Sequence, residues 1–362
     1  MLAPDLPGEP QLSNSLAQPD LCCKRISGRH GEKLSEHLPR VSVVIPNYNY
    51  ARFLEQRFQS ILDQTYRDFE IIFLDDASTD DSVPLVRDRY ARYLRHCVVN
   101  TSNTGNPFVQ WNRGAHLARG EFIWIAEADD YCAANFLERM LAAISQSPRI
   151  GLAHCHTLPV DGNGVSLDDG FYLRYVSTLD KQRWNADFLA SGAAEVRSYL
   201  GKKNTITNVS GVLFRHQALA AIGYATETMR MCGDWLTYCR LLHDYDVAYV
   251  SEPMNFHRQH QAKHTQNSVL DLTYFREFLD VQHYIASAFT LDAAERTAAF
   301  KRFLGEWDRL TVSHYGRIPL GSVLKLANMA SSYYPGLGER VHVALHLGAN
   351  LAKSATAKWL PA

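Results

Sequence analysis

An α/β fold, with a mixed, mostly parallel sheet flanked by helices and a helical C-terminal region, is the class this sequence predicts. Three observations predict it. Short β-branched apolar runs alternate with helix-periodic segments at roughly 25–30-residue intervals, the rhythm of βαβ units. The runs are apolar throughout rather than alternating, as strands covered on both faces are. Each ends on its carboxyl side in polar residues, where open α/β sheets bind ligands.

Val41-Ser42-Val43-Val44-Ile45 reads as the first strand and stops at Pro46. Phe53, Leu54, Phe58, Ile61 and Leu62 then recur at helical spacing through Gln64. Phe69 to Leu74 is the second strand, ending in Asp75-Asp76, and a helix is expected from Asp80 to Leu94. Cys97-Val98-Val99 is a third strand. Pro107 opens a helix to Ala118, a first-turn position where proline is tolerated. Phe122 to Ala126 is the fourth strand and runs into Glu127-Ala128-Asp129-Asp130. The middle carries short strands at Gly151–Cys155, Asn208–Phe214 and Val247–Val250. From Asn267 onward the pattern is helical, with Phe275, Phe278, Leu279, Gln282 and Ile285 on one face.

The chain has 362 residues, 46% apolar and 21% charged, which excludes disordered and fibrous classes. Its formal net charge of −1 gives no basic bias toward nucleic acid. No apolar stretch is long enough to span a membrane. Seven scattered cysteines without a C-x-x-C argue against a disulfide framework or a zinc site and suit a reducing cytoplasm. Pro4, Pro7, Gly8, Pro10 and Pro19 mark the start as a mobile leader, and it lacks the apolar core of a secretory signal. The expected division is a disordered leader over 1–38, an α/β domain over 39–265 and a helical region over 266–362.

Four polar clusters stand at the strand ends: Pro46-Asn47-Tyr48-Asn49, Asp75-Asp76-Ala77-Ser78-Thr79-Asp80, Asn103-Thr104-Gly105 with Asn112-Arg113-Gly114, and Glu127-Ala128-Asp129-Asp130. Singly, each is ordinary turn or N-cap chemistry. Together, two acidic clusters on one sheet edge repel unless a cation lies between them. A magnesium or manganese ion bridging a diphosphate answers that, since carboxylate and phosphate oxygens are its preferred ligands.

With Gly120-Glu121-Phe122-Ile123 added, the order and spacing of these motifs resemble glycosyltransferase family 2 over about residues 41–260. The resemblance implies a GT-A fold and an inverting enzyme using a nucleoside-diphosphate sugar, commonly with uracil as the base. It implies that Pro46, Asn47, Tyr48 and Asn49 line the nucleotide pocket and that Asp75 or Asp76 bonds the base. Asn103, Gly105 and Asn112 would shape the rest of the donor cleft. Glu127-Ala128-Asp129 stands where the family has its metal-binding Asp-x-Asp, so Asp129 would hold the metal and Glu127 the ribose and metal-bound water. Glutamate at the first position is a departure that keeps the charge. Gly233-Asp234-Trp235 resembles the start of the helix that carries the family's catalytic base, leaving Asp234 as the only candidate carboxylate. Its alternative is a helix N-cap.

The resemblance also implies that Arg258 and His260, in His257-Arg258-Gln259-His260 with His264 nearby, would close over the donor phosphates. The alternative is a polar loop; zinc lacks further ligands there. Val341 to Trp359, basic and amphipathic, suits peripheral contact with the inner face of a membrane, although the plainer reading is a helix packed on its own domain. The expected activity is metal-dependent transfer of a sugar from a UDP-type donor to a hydroxyl of a glycan or lipid-linked acceptor, in cell-surface polysaccharide synthesis. The alternatives are a nucleotide-sugar-binding protein without turnover and a sugar-nucleotide nucleotidyltransferase. Against the second, Pro46-Asn47-Tyr48-Asn49-Tyr50 replaces the glycine-rich loop such enzymes carry after strand one.

Overall fold

A computed structural model of the chain describes residues 20–21, 37–167, 170–259, 269–311, 318 and 320–333. Its strands are β1 (Asp20–Leu21), β2 (Val41–Asn47), β3 (Phe69–Asp75), β4 (Leu94–Val99), β5 (Phe122–Ile125), β6 (Tyr131–Cys132), β7 (Ile150–Val160), β8 (Phe188–Ala190), β9 (Val212–Arg215) and β10 (Asp246–Arg258). The helices are α1 (Ala51–Leu62), α2 (Ser82–Arg89), α3 (Pro107–Leu117), α4 (Phe136–Ile144), α5 (Phe171–Ser177), α6 (Gly192–Glu195), α7 (His216–Ala221), α8 (Gly233–Asp244), α9 (Thr273–Ala288), α10 (Ala293–Thr311) and α11 (Leu320–Tyr333).

The strands form one sheet in the order β1-β4-β3-β2-β5-β9-β7-β10-β6, with β8 also on β10. The block β4-β3-β2-β5 is parallel, and β9 then pairs antiparallel with both β5 and β7, so the sheet is mixed as expected. All seven residues of β2 are buried because helices cover both faces. Val43 and Ile45 join Leu54, Phe58 and Ile61 of α1 and Phe136 and Met140 of α4. Val44 faces the other way, toward Phe108 and Trp111 of α3.

That second core extends without a break into the C-terminal helices, taking in Phe275, Phe278, Phe303 and Trp307. Trp235 of α8 meets Phe278 of α9 edge-on, with ring centroids 4.9 Å apart. The described part of 266–362 therefore shares the sheet's core. Such a continuous apolar contact is worth about 25 cal/mol per Å² removed from water.

Several elements differ from expectation: β7 runs on to Val160 rather than ending at Cys155, and β9 begins at Val212 rather than Asn208. The helix expected to Leu94 ends at Arg89, and β4 begins at Leu94, because its first three residues lie on a half-exposed edge and lack an apolar signature. β10 runs 13 residues, well past Val250, through register shifts at Pro253 and Asn255. Proline disguised it, since a residue without an N–H enters a ladder only at an edge or bulge.

Of the leader, Asp20 and Leu21 pair antiparallel with Val98 and Val99; residues 1–19 and 22–36 lie outside the described residues. So do Val341 to Trp359 and His264. The described cysteines are buried and free. Among the described residues, no helix is long and apolar enough to cross a membrane.

Candidate active site

Parallel register brings three of the polar clusters to one edge. Asn47 pairs with Asp75, Asp75 with Val99, and Val44 with Ile125, so each polar cluster begins where its strand's ladder stops. The Asp76 N–H donates to the Asn47 carbonyl at 2.9 Å, which ties the first two loops together.

Buried Asn47 donates through Nδ2 to Asp75 Oδ2 at 2.7 Å and Ser78 Oγ at 3.1 Å. Asp75 also accepts from the Ser78 N–H at 2.8 Å. Asn49, at φ +58°, accepts through Oδ1 from the Thr79 N–H at 2.7 Å; asparagine tolerates that left-handed backbone. Asp76 holds the third cluster. Its carboxylate accepts from Asn100 Nδ2 at 2.6 Å, Gln110 Nε2 at 2.9 Å and Thr104 Oγ1 at 2.8 Å, as well as from the Thr104 N–H. Four donors saturate it, so Asp76 shapes the turn. Pro46 lies inside β2, while Tyr48, Asn103 and Gly105 are exposed at the rim. Gly105 sits at φ +65°, and Asn103 Nδ2 donates to the Asp76 carbonyl at 3.0 Å.

The acidic loop after β5 divides its three carboxylates. Half-buried Glu127 accepts from the Trp111 indole N–H at 2.7 Å. Burial first, then the charge of Asp129, pushes its carboxyl up to about 8. Asp130 is buried, with Oδ2 accepting from Ser210 Oγ at 2.7 Å and Asn208 Nδ2 at 3.1 Å, and Oδ1 from the Arg258 N–H at 2.9 Å. Burial and Asp129 raise this carboxyl too. Burial, then Asp129 and the other two acids, raises the Tyr50 hydroxyl opposite. Arg57, wholly buried in α1, donates through Nε to the Glu127 carbonyl at 2.8 Å. It is a fixed positive charge beneath the loop.

Asp234 lies in the first turn of α8, where the helix dipole favours a carboxylate. Asn204 Nδ2 donates to it at 3.0 Å, and burial still raises it to about 6. Three side chains fix the loop before it. Asn106 Nδ2 donates to the carbonyls of Glu227 at 2.7 Å and Met229 at 3.0 Å, and Asn112 Nδ2 to that of Ala225 at 2.8 Å. Glu277 of α9 accepts from the N–H groups of Arg230, Met231 and Cys232 at 2.7–2.8 Å. Asn112, expected in the donor cleft, thus braces the loop that carries Asp234.

Gly233 packs against Phe108, and Phe108 meets Trp111 edge-on at 4.9 Å. Glu127 and Asp234 are therefore linked through two aromatic rings of α3. A Cβ at Gly233 would lie 2.5–2.8 Å from three ring carbons of the buried Phe108. Gly233→Ala is expected to cost about 1–3 kcal/mol of stability, read as a lowered urea midpoint at unchanged slope.

Arg258 is corrected by its surroundings. It is 3% exposed. Nε donates to the Asp129 carbonyl at 2.7 Å, Nη1 to the carbonyls of Asp161 and Gly162 at 3.0 Å, and Nη2 to Gln56 Oε1 at 2.5 Å. The fork expected to grip donor phosphates instead clasps the acidic loop. His260 lies outside the described residues. Trp111, Asn204, Asn208, Ser210 and Arg57 escaped sequence reasoning, since each reaches the site by a long-range contact without a local motif.

Among the described residues, no three His, Cys, Asp or Glu groups cluster so as to hold a metal by themselves. Asp130 does not fit one, because both its oxygens are taken. Glu127 and Asp129 do fit a divalent cation shared with a phosphate group: their oxygens are hard ligands, and their mutual repulsion raises Glu127.

Comparison with known proteins bears on the family and the fold. A family model described as "Glycosyl transferase family 2" matches residues 42–190. An uncharacterised glycosyltransferase of Nostoc sp. is 28% identical over 186 residues, 51% of this chain and 53% of that protein. One from Haemophilus influenzae is 29% identical over 146 residues, 40% of this chain and 55% of that protein. The chain thus spans about half the length of these curated relatives. The crystal structure of Staphylococcus aureus TarS 1–349 has a TM-score of 0.62 at 17% identity, covering 87% of this chain and 88% of that one, a likeness of fold.

Proposed function

We propose that this chain, whose residues 42–190 match the family model of glycosyltransferase family 2, transfers a sugar from a nucleoside-diphosphate donor, UDP in first place, to an acceptor hydroxyl with inversion. The observation that carries this is the pairing of two carboxylate stations: the Glu127–Asp129 loop at the strand ends, and Asp234 held separately by Asn204 and the braced loop. The acceptor oxygen attacks the anomeric carbon as its bond to the diphosphate breaks. Asp234 takes the acceptor proton, and the nucleoside diphosphate leaves with the bonding electrons.

Asp129 and Glu127 would hold the divalent cation, which neutralises the leaving diphosphate when bound. Asn47, Asn49, Asp75 and Asp76 preorganise the nucleotide end through the hydrogen bonds described. TarS has been crystallised with UDP and with UDP-GlcNAc, and the shared fold makes UDP the first nucleotide to try. The role proposed is in cell-surface polysaccharide synthesis on the cytoplasmic side. Titration calorimetry of UDP with manganese, repeated with EDTA, tests the donor site: binding that chelator abolishes is expected. Failure of UDP, GDP and dTDP alike would overturn the reading.

A further inference from the structure

Beside Asp234 a cavity opens between the 203–204 and 231–235 segments and helices α9 and α10, with Tyr175, Lys203, Arg302 and Glu306 in its walls. Its two carboxylates are accounted for. Glu306 pairs with Arg309, whose Nε donates at 3.0 Å, and accepts from Tyr274 Oη at 3.3 Å. Asp234 accepts from Asn204.

The two cations have no such partner. Lys203 is 2% exposed, lies 3.6 Å from the centroid of the Tyr175 ring, and donates to the Tyr175 carbonyl and to Thr178 Oγ1 at 2.8 Å. No carboxylate among the described residues lies within ion-pair reach of it. Arg302 likewise makes no ion pair, and its Nε is buried without a hydrogen-bond partner among the described residues. Burial, then Arg302, pulls the Lys203 ammonium down to about 7. A buried donor left unmade is costly; Glu306, in the same wall, draws the Lys203 ammonium back up but is outweighed by burial and Arg302, and is itself paired with Arg309. A guanidinium and an ammonium converging on one space match a phosphate or carboxylate.

We infer that the acceptor is anionic: a phosphate or carboxylate it carries sits between Lys203 and Arg302 while its reacting hydroxyl faces Asp234. This rests on the transferase reading for the hydroxyl's role, whereas the anion site stands on the cavity itself.

The test is titration of the full chain with glycerol 3-phosphate, methyl glucuronide and neutral methyl glucoside, alongside UDP with manganese. One or both anions should bind and the neutral glycoside should not; which anion binds tells phosphate from carboxylate. Arg302→Gln should weaken the anion at least tenfold, Arg302→Lys should restore most of the loss, and UDP binding should be unchanged in both. Lys203→Met, compared at matched thermal stability, should also weaken the anion tenfold. Anion binding equal in wild type and Arg302→Gln overturns the inference, as does binding of neither anion. Failure of UDP, GDP and dTDP alike with anion binding intact removes the transferase reading and keeps the anion site; nucleotide binding without anion binding removes only the anion site.

Discussion

Asp234→Asn is expected to abolish transfer while leaving UDP affinity intact. A general base contributes about 10²–10⁴ in rate, so kcat should fall by that range with the donor's dissociation constant unmoved. The amide keeps the shape of the carboxylate and removes only its capacity to take a proton. Unchanged turnover would refute the base assignment, and a parent protein without turnover would favour a binding module.

The pH profile carries the same information. Burial holds Asp234 at about 6, above its usual 3.8, and it acts as a base only when ionised. The rate should therefore drop tenfold per unit as pH falls below about 6 and level off above 7. The stability effect has the opposite sign. A raised carboxyl favours the fold when protonated, so its contribution is full below 3.8 and is lost as pH rises through 6. Asp234→Asn should accordingly raise Tm at pH 8 and leave it unchanged at pH 3.5. A side chain that destabilises the protein at its working pH fits a residue kept for chemistry.

Asp129→Ala should have the second large effect. Removing the outer carboxylate of the acidic loop takes away a ligand to the proposed cation and lowers the repulsion on Glu127. UDP affinity in manganese should fall about 10–100-fold, and what remains should be insensitive to EDTA. Binding of the wild type that ignores both the chelator and this substitution would mean a metal-free donor site. The fold should survive, because the Asp129 carbonyl, which Arg258 clasps, is kept.

Much of this site was legible because it is local. Val41 to Pro46, Phe69 to Asp76 and Phe122 to Asp130 are short apolar runs with polar ends, and parallel register must carry such ends to one edge. Asp234 could be named only through the resemblance of Gly233-Asp234-Trp235 to the family's helix start; the N-cap alternative falls to Cys232, which leaves Asp234 inside the first turn.

What the sequence determined by itself, then, is the strand-end chemistry: which carboxylates exist, and that they share an edge. Only the tertiary structure decided how they divide the work. Asp76 and Asp130 are saturated by donors from Gln110, Asn100, Ser210 and Asn208, while Glu127 and Asp129 repel each other. Arg258 is turned inward onto the loop, and Asn112 onto the segment before Asp234. The cavity with Lys203 and Arg302 joins residues about a hundred positions apart. The reason is physical: a side chain's charge state and free hydrogen-bonding capacity depend on burial and on partners that folding alone brings within about 3 Å.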